Sequence, residues 1–285
     1  MGRLVLLTAV AGGLLPGAAA AEAMRLITIG APVTELAFAL GAGDSVVGRD
    51  TVSRYPAEAA ARPDAGYMRT LSAEGMISLS PTHVVAVEGA GPQTAFDQLR
   101  AMGVTVTMIP EAADRAGLSG KIAAVARALG REAEGARLAA AVEARLSALA
   151  AAVETARAQR KGAPPARVLC LVGGGPGGML AAGRGTVPDT LIAMAGAGNA
   201  MAGERDYVPL SAEGALAAEP DVLLVSRSLI DRSGGVDGLL GLPQLALTPV
   251  ARTRRVVVVD GTILVGLGPR TGDAVAALVG EQGVK

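Results

Sequence analysis

The sequence predicts an α/β protein of two Rossmann-like lobes with mostly parallel sheets, joined by one long α-helix. The first observation is an internal repeat. Gly66-Tyr67-Met68-Arg69-Thr70-Leu71-Ser72-Ala73-Glu74-Gly75 largely returns as Asp206-Tyr207-Val208-Pro209-Leu210-Ser211-Ala212-Glu213-Gly214, and Ser72 and Pro81 lie 139 residues before Ser211 and Pro220. That spacing is too long for a solenoid repeat and suits one domain, so two like lobes with a cleft between them are expected. The second observation is a set of short apolar runs at 25–29, 83–87, 104–109, 167–172, 222–225 and 256–259, suited to parallel strands covered on both faces. The third is a stretch at 114–161 without strand signal. Its longer part, 131–160, would extend about 45 Å at 1.5 Å per residue, the length of a strut between domains.

Taken in order, the chain opens with Met1-Gly2-Arg3, a mostly apolar run to Leu15, then Pro16-Gly17 and a run of alanines ending at Ala21. This is the pattern of a secretory leader, with cleavage after Ala21 or Ala23. The apolar part is too short to span a bilayer, and no cysteine follows it for lipid attachment, so a free periplasmic protein is expected. The predicted segments are a leader at 1–23, an N-terminal lobe at 24–113, a helical linker at 114–163 and a C-terminal lobe at 164–285. In the first lobe, strand 25–29 ends at Gly30. Pro32 then opens a helix that stops at Gly41-Ala42-Gly43. Residues 46–48 read as a second strand and 49–64 as loop. Ser72 is a plausible N-cap before strand 83–87, and a helix at 92–102 leads to strand 104–109. The linker is broken softly at Gly130 and ends at Gly162-Ala163-Pro164-Pro165. Strand 167–172 then restarts the pattern of 25–29. The Pro-led helix at 187–195 runs into Gly196-Ala197-Gly198, as its counterpart does.

Composition narrows the function. Lys and Arg total 26, as do Asp and Glu, so there is no nucleic-acid footprint and no polybasic anchor. The only cysteine, Cys170, lies within an apolar run and reads as an inert buried thiol. The only histidine, His83, opens a buried strand run and reads as structural. One His and one Cys cannot assemble a cluster of imidazoles or thiolates around a metal, and no nucleophile-elbow sequence accompanies His83. The glycines at 173, 175 and 178 match Gly-x-Gly-x-x-Gly, but no helix opens until Pro188, so they read as a flexible loop on the cleft wall. An exported nucleotide-dependent enzyme is therefore the distant alternative, and no catalytic residues are assigned.

Tyr67 stands out in a chain with only three tyrosines, two phenylalanines and no tryptophan. Its bland reading is an aromatic plug on the lobe surface. Arg69, two residues on, can stabilise a phenolate, and phenolate oxygen is a hard ligand suited to ferric iron. Free tyrosine ionises near pH 10, so ligation at neutral pH calls for both metal and a neighbouring cation. Glu74 and Glu213 each sit in a first helical turn, where the helix dipole favours an acid. Their pairing at equivalent places suits a two-lobed partner with two basic patches.

These residues, together with Gly234-Gly235-Val236-Asp237-Gly238-Leu239-Leu240 and Gly268-Pro269-Arg270-Thr271, resemble the periplasmic haem-binding proteins of bacterial ABC haem importers. These belong to the substrate-binding class that includes vitamin B12 and siderophore carriers. The resemblance covers essentially the whole mature chain. It implies haem as transported ligand, Tyr67 as axial ligand to the haem iron with Arg69 beside it, and Arg227 as the second-lobe arginine facing the tyrosine or a propionate. It implies further that Glu74 and Glu213 dock on arginines of the ABC permease subunits, and that the carrier is a monomer that does not itself span the membrane. Some members hold a second stacked haem through a second-lobe histidine, and this chain has none there. A carrier of ferric siderophore or corrinoid is the near alternative.

Overall fold

A computed structural model describes residues 23–160, 162–175 and 178–281. The expected leader at 1–23 lies, save for Ala23, outside the described residues. The first lobe runs β1 (Leu26–Ile29), α1 (Ala31–Ala39), β2 (Val46–Arg49), α2 (Ala57–Ala60), α3 (Ala73–Ile77), β3 (His83–Val87), α4 (Gln93–Ala101) and β4 (Thr105–Ile109). Two helices follow, α5 (Arg115–Ala128) and α6 (Glu132–Gln159). The second lobe begins with β5 (Arg167–Gly175), β6 (Gly178–Ala182), α7 (Val187–Met194), β7 (Gly198–Asn199) and β8 (Tyr207–Pro209). It continues with α8 (Ala212–Ala217), β9 (Val222–Ser226), α9 (Arg227–Arg232), α10 (Gly235–Leu240), α11 (Pro249–Thr253), β10 (Val256–Val259) and α12 (Thr271–Glu281).

The first sheet is parallel throughout, in the order β2-β1-β3-β4. The second runs β10-β9-β5-β6-β8, with β7 also paired to β5. Its β10, β9, β5 and β7 pairings are parallel, while β6 pairs antiparallel with both β5 and β8. The repeat survives folding residue for residue, because β3 and β9 occupy the two aligned segments. Each is preceded by a short helix capped by the repeated serine. Ser72 Oγ accepts from the Gly75 N–H at 3.3 Å and Ser211 Oγ from the Gly214 N–H at 2.9 Å, which satisfies one free amide at each helix start.

Three features depart from the sequence reading. The glycine run expected as a loop is strand, since Gly173–Gly175 completes β5 and Gly178 opens β6, with Leu171, Val172 and Gly173 facing Ala181, Leu180 and Met179. The rest of that loop, Pro176 and Gly177, lies outside the described residues. Residues 49–64, expected as loop, include α2. The break at Gly130 is a reversal rather than a soft interruption. Gly130 takes φ +63°, and α6 folds back along α5, so that Gly135 meets Ala126 while Arg115 reaches Glu143.

At 28 residues α6 is about 42 Å long, and it touches both halves. It packs on α5, whose Leu118, Ile122 and Val125 are buried over the first sheet, and it reaches the second lobe through Arg145 to Asp273 of α12 at 2.7 Å and through Val153 against Gly196, just past α7. One continuous apolar core runs from Leu26, Val85 and Phe96 in the first lobe to Val168, Leu224 and Val275 in the second, and a separate cluster lies under α8 to α11. The close approach of α5 and α6 depends on Gly135, where an added Cβ would come 2.4 Å from the Cβ of Ala126. Gly135→Ala should therefore lower thermal stability. A helix-propensity gain of about 1 kcal/mol is opposed by an overpacking cost of about 1–3 kcal/mol against a side chain that cannot turn away. A midpoint at or above that of the wild type would contradict this.

Candidate functional site

The carboxyl ends of the strands are where an α/β sheet offers a crevice to a ligand, because the loops leaving them diverge. Tyr67 stands on that edge of the first lobe. Its loop leaves the end of β2 and is tied beside the end of β3 by the Gly91 N–H to Met68 O at 2.8 Å and the Leu71 N–H to Gly91 O at 2.9 Å. Gly66, at φ +110°, turns the chain into the loop, and the Thr70 N–H closes it on Tyr67 O at 2.9 Å. The conformation at Gly66 is one that side-chain-bearing residues rarely adopt. Tyr67 is 45% exposed, and its hydroxyl has no hydrogen-bond partner among the described residues. Arg69, in the same turn, is exposed and also without a partner among them.

Arg227 occupies the corresponding edge of the second lobe. It is the first residue of α9, directly beyond β9, exposed, and without a partner among the described residues. Tyr67 and Arg69 thus share a turn while Arg227 sits across on the other lobe, with no direct bond between them. Glu74 and Glu213 take the second position of α3 and α8, each exposed and two residues past the capping serine. Tyr207, the repeat's other tyrosine, has a different setting. It lies in β8 opposite Ala182, and burial, with Cys170 nearby, pushes its phenol up to about 12 even though 40% of the residue is exposed. Desolvation disfavours a phenolate there. Burial likewise pushes the Cys170 thiol up, so it is not a nucleophile. His83 bonds Thr82 Oγ1 through Nδ1 at 2.8 Å at the amino-terminal end of β3, the edge away from Tyr67.

The two lobes are bolted together where their carboxyl edges meet. Glu35 of α1 accepts two bonds from Arg270, at 2.5 Å from Nη2 and 2.9 Å from Nε, and one from Thr262 Oγ1 at 3.3 Å. Arg270 also pairs with Asp260 at 3.1 Å and lies 3.5 Å above the centroid of the Tyr55 ring. The side chains of Glu35 and Arg270 are only 5% and 15% exposed, so this is a largely desolvated, bidentate pair. Tyr55 and Arg270 also wall a cavity of about 550 Å³ with Phe38 and Pro269. Behind the pair, Lys121 donates to Glu111 at 2.6 Å and to Leu267 O at 3.3 Å, and Thr190 Oγ1 donates to Ala113 O at 2.9 Å.

With this geometry in hand, comparison with known proteins is decisive. A family model described as periplasmic binding protein matches residues 26–262. The chain belongs to this family. The apo structure of the periplasmic heme-binding protein RhuT from Roseiflexus sp. RS-1 superposes on this periplasmic binding protein with a TM-score of 0.83 at 41% identity, covering 92% of this chain and all of that one. The periplasmic heme-binding protein BhuT in complex with two hemes superposes with a TM-score of 0.82, also at 41% identity, over 90% of this chain and 97% of that one. Among curated sequences, the vitamin B12-binding protein of Photorhabdus laumondii is 31% identical over 86 residues, which are 30% of this chain and 31% of the relative's length. The match to these curated relatives thus spans about a third of their length. Among the described residues, no helix of this periplasmic binding protein is long and apolar enough to cross a membrane, and no group of three His, Cys, Asp or Glu side chains could hold a metal ion.

Sequence reasoning passed over Glu35, Tyr55 and Asp260. Arg270 stood inside a quoted motif without a role, and nothing local marks a partner 235 residues away. Removing one partner of a buried pair strands the other charge, so Glu35→Ala should cost about 3–5 kcal/mol, read as a lower midpoint in urea. The pair should also acquire an acid limit through Asp260. Burial raises the pKa of that carboxyl, but bonds from the Thr262 amide and hydroxyl, with the Arg270 charge, outweigh it and hold it below the ordinary range. A depressed carboxyl contributes its full stabilisation above the unfolded value of about 3.9 and loses it as pH falls through the folded value. Stability should thus drop below about pH 4, and Asp260→Asn should flatten part of that slope. An identical pH profile in the variant would remove Asp260 from the account.

Proposed function

We propose that the protein is a periplasmic carrier that captures haem between its two lobes and delivers it to an ABC permease. The observation that carries this reading is Tyr67, an exposed and unpartnered phenol on the carboxyl edge of a parallel sheet with Arg69 in the same turn, in a chain 41% identical to a periplasmic heme-binding protein along nearly all its length. Tyr67 would ligate the ferric iron as phenolate, Arg69 would stabilise that anion, and Arg227 from the second lobe would face the tyrosine or a propionate. A relative solved with two hemes raises the question of stoichiometry. Here the one histidine lies at the opposite edge of the first sheet, so a second haem would have to be held without imidazole. A leader at 1–23 would export the chain to the periplasm, where it would act as a monomer.

Tyr67→Ala should weaken hemin binding by at least about a hundredfold, roughly 2.8 kcal/mol, and abolish the tyrosinate-iron absorption. Tyr207→Phe should leave both nearly as they are, because that phenol is already held protonated. Hemin bound by the Tyr67 variant with wild-type spectrum and affinity would sink the assignment. The partial match to vitamin B12-binding proteins favours a corrinoid, or by class a ferric siderophore, as second reading. Parallel titration with hemin, cyanocobalamin and a ferric siderophore separates them.

Delivery would use Glu74 and Glu213, which stand exposed at matching helix starts on the two lobes. Charged rim contacts govern encounter and orientation more than ligand affinity. Replacing both with alanine should leave hemin affinity within about threefold, under 1 kcal/mol, while abolishing transport by a reconstituted permease. Each single replacement should give a partial defect. Normal transport by the double variant would reduce the repeat to helix capping.

A further inference from the structure

The turn that carries Tyr67 is held at its C-terminal end by Gly91, as described above, and at its N-terminal end by a carboxylate with no counterpart in the sequence reading. Asp64 Oδ1 accepts from the Gly66 N–H at 2.9 Å and from the Thr51 hydroxyl at 3.0 Å. Its Oδ2 accepts from Arg49 Nη1 at 3.0 Å. Arg49 is itself buried: it ends β2, its side chain is 9% exposed, and Nη1 also donates to Asp50 O at 3.0 Å. The backbone doubles the clamp, since the Thr51 N–H donates to Gly66 O at 3.0 Å, the Ala65 N–H to Arg49 O at 2.8 Å, and the Arg49 N–H to Pro63 O at 3.0 Å. Residues 63–66 therefore lie along the end of an edge strand, and a single carboxylate fixes the amide of the residue next to Tyr67.

We infer that Asp64 is a positioning residue for the iron ligand: through Gly66 it sets the direction in which the Tyr67 phenol leaves the sheet. The inference rests on the reading of Tyr67 as ligand to haem iron. A carboxylate is suited to the task because a charge-assisted bond to a backbone amide is stronger than a neutral one, and its second oxygen is held by a guanidinium built into the sheet. Groups that orient a ligand from behind typically change metal affinity about 10–100-fold when removed. Asp64 touches neither iron nor porphyrin on this account, so its effect should appear only where an axial bond is made.

The test compares hemin with metal-free protoporphyrin IX on Asp64→Ala, Asp64→Asn, Thr51→Val and Tyr67→Ala, each checked by circular dichroism and thermal melting. Asp64→Ala is expected to lose about 10–100-fold in hemin affinity, with a weakened or shifted tyrosinate-iron band, while binding protoporphyrin within about threefold of wild type, under 1 kcal/mol. Asp64→Asn keeps an acceptor for Gly66 and Thr51 but loses the charge that faces Arg49, and should show a smaller loss of the same hemin-specific kind. A general packing defect would weaken both porphyrins alike and would overturn the inference, as would wild-type hemin affinity and spectrum in Asp64→Ala. If Asp64→Ala does not fold, Thr51→Val and Asp64→Asn decide the matter: a hemin-specific loss or band shift in either supports the inference, and unchanged hemin binding in both overturns it. Failure of the ligand reading is recognised separately, by a Tyr67→Ala protein that keeps the wild-type band.

Discussion

The arrangement of the two lobes depends on one buried ion pair. Glu35 and Arg270 join α1, which leaves the end of β1, to the segment just past β10, and Asp260, Thr262 and Tyr55 complete the shell around the guanidinium. Desolvating a carboxylate and a guanidinium is costly, and a pair of this kind returns that cost only with good geometry and its remaining donors occupied. Both conditions are met here, since four of the contacts to Arg270 come from three separate side chains. The continuous apolar core also joins the lobes, but apolar burial is non-directional and specifies the angle between them less closely. The bidentate fork adds that directionality.

Around that fixed base, each lobe presents its chemistry on loops held by rigid elements. Tyr67 and Arg69 project from a turn pinned between the ends of β2 and β3, and Arg227 opens a helix directly beyond β9. Tyr67, Arg69 and Arg227 have no partner among the described residues, while the neighbouring Asp64 bonds both Arg49 and Thr51. A site of this form is prepared for a ligand before it arrives, because the groups that would reorganise are already bonded.

The duplicated Ser-Ala-Glu-Gly shows how one motif serves two purposes. Its serine caps α3 and α8 in the same way, and its glutamate stands exposed in both first turns. Capping and an exposed acid are therefore compatible in one tetrapeptide, since the helix dipole favours a carboxylate in the first turn. The surrounding tyrosines diverged: Tyr67 stands in an open turn, whereas Tyr207 lies in β8, where burial, with Cys170 nearby, pushes its phenol up to about 12.

By itself the sequence determined the lobes, most strands and the long helix, because buried parallel strands read as unbroken apolar runs and helices as periodic ones. Those signals are local, and β3, β9 and α6 fall where they place them, within a residue or two. Tyr67, Arg69, Glu74 and Glu213 were nameable as candidates through motif and repeat, and Arg227 through the family resemblance alone. Tertiary structure alone decided the rest. The β5–β6 hairpin was invisible because glycines have no side chains to alternate, and only pairing across the strands makes them sheet. The reversal between α5 and α6 hinges on one positive φ at Gly130, which a helical pattern on both sides conceals. The Glu35–Arg270 pair and the Asp64 clamp depend on approaches across 235 residues and across a loop, and no local periodicity encodes the distance between two side chains.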